Sequence, residues 1–154
     1  DSLPSRGLGD VYKRQELHPE SPTLDSELRH FKTKVDAGAN GAITQYFYAS
    51  DAYFRFRDEC LAQGIDIPIT PGIMPITNLA GIKRFSAVCG ADIPRWILRR
   101  LESLEDDSDS LKAFGEEVVI SLCEQLIRGG VPGLHFYTLN QSKPTLRLCK
   151  NLGY

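Results

Sequence analysis

The chain has no long run of charge of one sign, no apolar segment long enough to span a membrane and no closely spaced pair of cysteines. Each absence removes a class of protein. With 18 basic and 20 acidic residues the formal net charge is −2, so the electrostatic footprint of a nucleic-acid binder is missing. Cys60, Cys89, Cys123 and Cys149 contain no C-x-x-C and do not cluster with histidine, which points to reduced thiols in a cytoplasm and not to a disulfide framework. His18, His30 and His135 show no metal-ligand spacing, so no metal is expected. What remains, at 154 residues with 42% hydrophobic and 25% charged, is one globular domain's worth of chain.

Residues 1–15, DSLPSRGLGDVYKRQ, have neither helical nor strand periodicity and lack the apolar core of a signal peptide. They are read as foreign to the fold, which leaves 16–154 as the folded unit.

The chain is organised around 34–48, KVDAGANGAITQYFY. Gly38 and Gly41 are expected to supply the positive φ values of a helix exit, and 42–48 has the composition of a strand covered on both faces. Gln45 stands out in that run. A long amide in a buried strand is either tied to the backbone or aimed at a ligand beyond the strand's carboxyl end.

Around this strand the pattern is regular. Ser21 and Pro22 open a helix in which Leu24, Leu28, Phe31 and Val35 form an apolar stripe. Glu27, His30 and Lys34 occupy another face, which by pattern alone suits a solvated surface. Ser50 or Asp51 caps a second helix that ends at Gly64, and 67–73 is a short apolar strand with a stiff exit through Pro71 and Pro75. Thr77 or Asn78 caps a helix bearing Leu79, Ile82, Phe85 and Val88. Residues 94–104 form an additional helix, Arg-rich on one side, with Trp96, Ile97, Leu98 and Leu101 on the other. The acidic stretch 102–109 reads as a loop, 111–128 as a long helix, 134–139 as the third strand, and Ser142 with Pro144 opens a last helix closed by Gly153. His135 is expected to be structural.

Strands alternating with amphipathic helices imply parallel βα units. A closed eight-stranded barrel takes about 250 residues, so three such units make only part of one, and three strands alone would leave two open edges.

Six segments carry a family resemblance: HPE at 18–20, KVDAGAN at 34–40, AITQYF at 42–47, PGIMPI at 71–76, IPRW at 93–96 and HFYTLN at 135–140. In this order and spacing they resemble bacterial methylenetetrahydrofolate reductase. The resemblance covers 16–154 and implies α/β architecture: a partial (β/α)8 TIM barrel, its last three βα units with an extra helix. It implies a flavoprotein of one-carbon and methionine metabolism, in which FAD takes a hydride from NADH or NADPH and passes it to 5,10-methylenetetrahydrofolate, giving 5-methyltetrahydrofolate.

The resemblance also implies roles for single residues. His18, Ser21, Glu27, His30 and Lys34 match FAD contacts, Lys34 beside the diphosphate. Gln45 matches a contact to nicotinamide and folate, Phe85 an aromatic that stacks on substrate, and Tyr137 and Asn140 the substrate-closing exit of the last strand. By helical spacing alone Phe85 suits the core equally well. Gln141 stands where some members have a substrate-binding arginine, and Gly81 where some have glutamine. The family's catalytic acid lies on the first strand of the barrel, outside this chain, so these residues by themselves are expected not to turn over folate. The resemblance implies small-molecule partners, with neither nucleic acid nor membrane, and a homo-oligomer at full length. Two rivals stay open from the pattern. One is another barrel enzyme acting on a phosphorylated substrate, and the other a non-catalytic half-barrel assembly module.

Overall fold

The computed structural model of the chain describes residues 24–154. The first helix, α1 (Leu24–Asp36), buries Leu28 and Phe31, with Val35 packed at the edge, as the stripe predicts. It ends where Gly38 takes φ 109° and donates its N–H to the Val35 carbonyl. Gly41 does not share that role. Its φ lies outside the left-handed region, and a Cβ there would make only an ordinary 3.6 Å contact with the Pro68 carbonyl.

Three parallel strands follow in the order β1 (Ala42–Tyr46), β2 (Ile69–Ile73) and β3 (His135–Phe136). The parallel α/β character implied by alternating strand and helix patterns is therefore present. β1 is covered on one face more than the other: Ala42, Thr44 and Tyr46 are buried, whereas Ile43 is 39% exposed. The ladder stops at Tyr46, but Phe47 and Tyr48 remain in the core, Phe47 stacked on Tyr53 with ring centres 6.0 Å apart.

The helix α2 (Ser50–Ala62) has Ala49 at its N-cap, and neither Ser50 nor Asp51 caps it. The Ser50 hydroxyl instead donates to Gln125 Oε1 at 2.6 Å, a tertiary bond that local sequence cannot anticipate. Tyr53 on this helix donates to the Ile69 carbonyl at 2.6 Å and so ties α2 to β2.

Asn78 does cap α3 (Leu79–Cys89), accepting from the Gly81 N–H at 2.6 Å. Leu79 and Ile82 are buried, but Val88 is 77% exposed. A spacing of three slips back about 60° per step against the 3.6-residue turn, so three steps carry Val88 to the opposite side from Leu79. On α4 (Arg95–Ser103) the buried face is Ile97 and Leu101, four apart, and Trp96 lies off it, 62% exposed and edge-on to Phe114.

The long helix α5 (Ser108–Arg128) begins inside the acidic stretch, because Asp107 caps it by accepting from the Ser110 N–H and hydroxyl. β3 is shorter than 134–139: after Tyr137 donates its N–H to the Ile73 carbonyl, Leu139 and Asn140 turn into the left-handed region at φ 49° and 61°. The last helix, α6 (Ser142–Asn151), has Gln141 at its N-cap with no side-chain cap, and Gly153 follows it at φ 89°.

The core runs between the sheet and these helices, with Ile73, Cys60, Ile97, Leu101, Val119, Cys123 and Leu126 essentially sealed from solvent. All four cysteines are free. Among the described residues no group of His, Cys, Asp and Glu could hold a metal, and no helix is long and apolar enough to cross a membrane.

Candidate functional site

Parallel sheets bind ligands beyond the carboxyl ends of their strands, and two features lie within the carboxyl-terminal part of these strands and just past it. The first is in the sheet. Ala42 pairs with Ile69 and Ile43 with Thr70, but the next partner of Gly72 is Tyr46, so β1 carries an irregularity at Thr44 and Gln45. Thr44 is buried, its hydroxyl accepting from the Gly72 N–H at 2.9 Å and donating to the Gln45 carbonyl at 2.8 Å. Tyr137, one residue past β3, reaches across Gly72 and donates its hydroxyl to the Thr44 carbonyl at 2.8 Å. Burial, with Cys89 adding to it, pushes the Tyr137 hydroxyl up from its ordinary value, so the group keeps its proton at neutral pH. The Tyr137 ring also meets His135 edge-on at 4.9 Å, a packing contact.

The second feature is a cleft of about 290 Å³ between the exit of β2, the first turns of α3 and the turn after β3. Met74, Leu139 and Phe85 form its apolar wall, and Asn78, Arg84 and Gln141 its polar one. Among the described residues no carboxylate lines it. The Arg84 guanidinium lies over the Phe85 ring, 5.1 Å from its centre, so the cleft is lined by an aromatic ring with a cation against it. Such a surface suits a planar ligand that ends in an anionic group.

The structure thus brings Phe85 and Gln141 into one cleft, and Tyr137 against the neighbour of Gln45. Gln45 is half-buried, and its Oε1 accepts from the Tyr46 N–H at 3.1 Å, so the amide oxygen is tied to the backbone, while among the described residues the amide nitrogen makes no hydrogen bond. Asn140 is exposed on the turn beside the cleft without lining it. His30 and Lys34 sit one helical turn apart on α1, both exposed, sharing neither the cleft nor the Tyr137 contact. Lys34 makes no ion pair among the described residues, whereas Lys32 pairs with Asp36 at 3.3 Å. His18 and Ser21 lie outside the described residues, and of Glu27 only its place on α1 is described.

Sequence reasoning missed Thr44, Gly72 and Arg84. Arg84 left a trace: the residues three and four away along its helix, Ala80, Gly81, Ala87 and Val88, offer it no acid. Thr44 and Gly72 left none, because their roles depend on neighbouring strands.

Residues 10–153 match the family model described as methylenetetrahydrofolate reductase. The chain is 45% identical over 138 residues to the 5,10-methylenetetrahydrofolate reductase of Buchnera aphidicola subsp. Acyrthosiphon pisum, and 41% identical to that of Escherichia coli K12. Each alignment takes in 90% of this chain and 47% of the relative, so the chain spans about half the length of the curated relatives it matches. A solved structure described as an uncharacterized protein from Clostridium thermocellum that binds two copies of 5-methyl-5,6,7,8-tetrahydrofolic acid has a TM-score of 0.59. It is 19% identical, with 92% of this chain and 57% of that one covered, a likeness of fold.

Proposed function

The chain belongs to the methylenetetrahydrofolate reductase family, and we propose that it is the carboxyl-terminal half of a (β/α)8 barrel reductase that converts 5,10-methylenetetrahydrofolate to 5-methyltetrahydrofolate. In this reading 16–154 is the barrel part, 1–15 is foreign to it, and the full-length protein is a cytoplasmic homo-oligomer serving methionine synthesis. The catalytic acid is supplied from outside these residues, so turnover belongs to the full-length protein.

The single observation that carries the folate reading is the cleft. Its Phe85 ring, its Arg84 cation and the lack of an acid among its described lining residues suit a folate's aromatic aminobenzoyl group and the carboxylates of its glutamate tail. The folate named for the structural neighbour from Clostridium thermocellum supports the same ligand class. Arg84 stands in the same cleft as Gln141 and can supply the cation that position 141 lacks here. Gln45 donates to the reacting end of the ligand, and Tyr137 and Asn140 close the site from the end of β3.

FAD supplies the hydride transfer when bound, with NADH or NADPH as its source. Of its assigned contacts, His30 and Lys34 are described, and they fit the group: an imidazole and a cation with no ion pair among the described residues, on one exposed helical face, suit a ribose and a diphosphate. His18, Ser21 and Glu27 complete that set.

Calorimetric titration of the full-length protein with 5-methyltetrahydrofolate tests the assignment. Arg84→Ala is expected to weaken binding about tenfold, the worth of a charged hydrogen bond, and Phe85→Ala by a similar factor. No folate binding by the unsubstituted protein, or unchanged affinity in both variants, would remove the reading.

A further inference from the structure

We propose that Thr44 and Tyr137 are positioning residues: together they hold a bulge in β1 that points the Gln45 amide nitrogen at bound ligand and commits that amide to donating. The inference rests on Gln45 as a ligand contact and adds how it is held and which way its hydrogen bond runs.

The register shows the device. Between the Ile43–Thr70 and Tyr46–Gly72 pairs, Thr44 and Gln45 of β1 stand opposite Pro71 alone. Bulges are rare between parallel strands, and this one faces a proline, which has no N–H to offer the ladder. An extra residue in a buried strand leaves backbone groups that must be satisfied by something else.

Thr44 and Tyr137 satisfy them. The Gly72 N–H donates at 2.9 Å to the Thr44 hydroxyl in place of a strand carbonyl, and the same hydroxyl donates at 2.8 Å to the Gln45 carbonyl. The Thr44 carbonyl, displaced from the ladder, accepts from Tyr137 at 2.8 Å. Tyr137 can cross β2 only because Gly72 has no side chain: a Cβ there would lie 2.6 Å from the Tyr137 ring and would also meet the Thr44 carbonyl. Thr44 and Gln45 on β1, Gly72 on β2 and Tyr137 just past β3 are therefore locked around one extra residue.

The consequence falls on Gln45. Its backbone carbonyl is held by Thr44, and its side-chain oxygen accepts from the Tyr46 N–H at 3.1 Å. The amide nitrogen, with two hydrogens, is the part left to meet a ligand. This orientation selects an acceptor in the ligand, such as a heterocycle carbonyl or ring nitrogen.

The test uses the full-length protein and 5-methyltetrahydrofolate, with affinity read by calorimetry. Thr44→Val keeps the shape and removes both hydroxyl bonds, Thr44→Ser keeps them, and Tyr137→Phe removes one hydroxyl and keeps the ring. Thr44→Val and Tyr137→Phe are expected to weaken binding about tenfold each, with Thr44→Ser within about twofold of the parent. Because the effect passes through Gln45, adding Thr44→Val to Gln45→Ala should cost nothing beyond Gln45→Ala alone. Should Gln45→Ala weaken binding while Tyr137→Phe and Thr44→Val do not, or should the double variant be additive, the positioning role is overturned and the ligand reading survives. Unchanged binding by Gln45→Ala overturns the ligand reading of that residue, and the positioning role with it. If Thr44→Val fails to fold, Tyr137→Phe decides alone, and parent-like affinity in it is the overturning result.

Discussion

At Cys123 the surroundings decide chemistry that composition leaves open. The thiol is sealed in the core, and burial, helped by Cys149 and Glu124, pushes it up to about 12, so almost no thiolate exists at neutral pH. Iodoacetamide at pH 8 is therefore expected to label Cys89 and Cys149, which are half-buried, and to spare Cys123 until denaturant is added, as peptide mass spectrometry would show. Labelling of Cys123 in the folded protein would contradict its burial. The widely spaced cysteines were legible in the sequence as free thiols; their ranking by reactivity was not, because it depends on what packs over each sulfur. The same holds at the site. Phe85 was legible as either core or ligand surface; it is half-buried against the core and also lines the cleft, with Arg84 over its ring. Its partner Arg84 could be suspected only from the absence of an acid at helical spacing.

Elements set the frame in which such residues meet. The α5 backbone at Gly115 comes close to Ile76 just beyond β2, and a Cβ there would lie 2.7 Å from the Ile76 carbonyl and 2.8 Å from its Cβ. Alanine is the better helix former by about 1 kcal/mol. Backbone cannot move aside as a flexible side-chain end can, so Gly115→Ala is expected to lose about 1–3 kcal/mol net. Urea unfolding should show a lower midpoint at unchanged slope. A stabilised variant would mean that the helix stands further from the strand exit, and hence from the wall of the cleft. The start of the same helix carries a pH dependence. Hydrogen bonds from the Ser110 hydroxyl and N–H hold the Asp107 carboxyl below its ordinary value of 3.8. A carboxyl lowered in the fold stabilises above its unfolded value and loses that contribution as pH falls through the folded one. Asp107→Asn should therefore be less stable than the parent at pH 7, and the difference should shrink as denaturation is repeated below pH 3.8. A difference that holds constant with pH would show that charge is not involved. Element identity was legible almost throughout, because the 3.6-residue stripes and glycine exits are local. Boundaries were less so: Ser50 left its expected cap for Gln125, and β3 gave way to the left-handed turn at Leu139 and Asn140.

At the scale of the whole molecule the sheet sets the frame. Among the described residues β1 and β3 each pair on one side only, with β2 between them. Completion as a closed barrel in the full-length protein would pair both outer sides. Hydrogen exchange should then show the outward-facing amides of β1 and β3 slowed in the full-length protein relative to this chain alone, while those facing β2 change less. Equal rates in the two would set aside closure of the sheet through these edges. Parallel α/β class, helix order and family were determined by sequence alone, since each rests on short-range periodicity or on contiguous segments such as KVDAGAN and HFYTLN. The arrangement around Gln45 was decided only by tertiary structure. It joins Thr44 on β1, Gly72 on β2 and Tyr137 just past β3, the last 93 positions from the first, through a bulge whose Thr44 carbonyl finds its partner only across the sheet. No periodicity records a hydrogen bond of that span, and it forms only once the strands lie side by side.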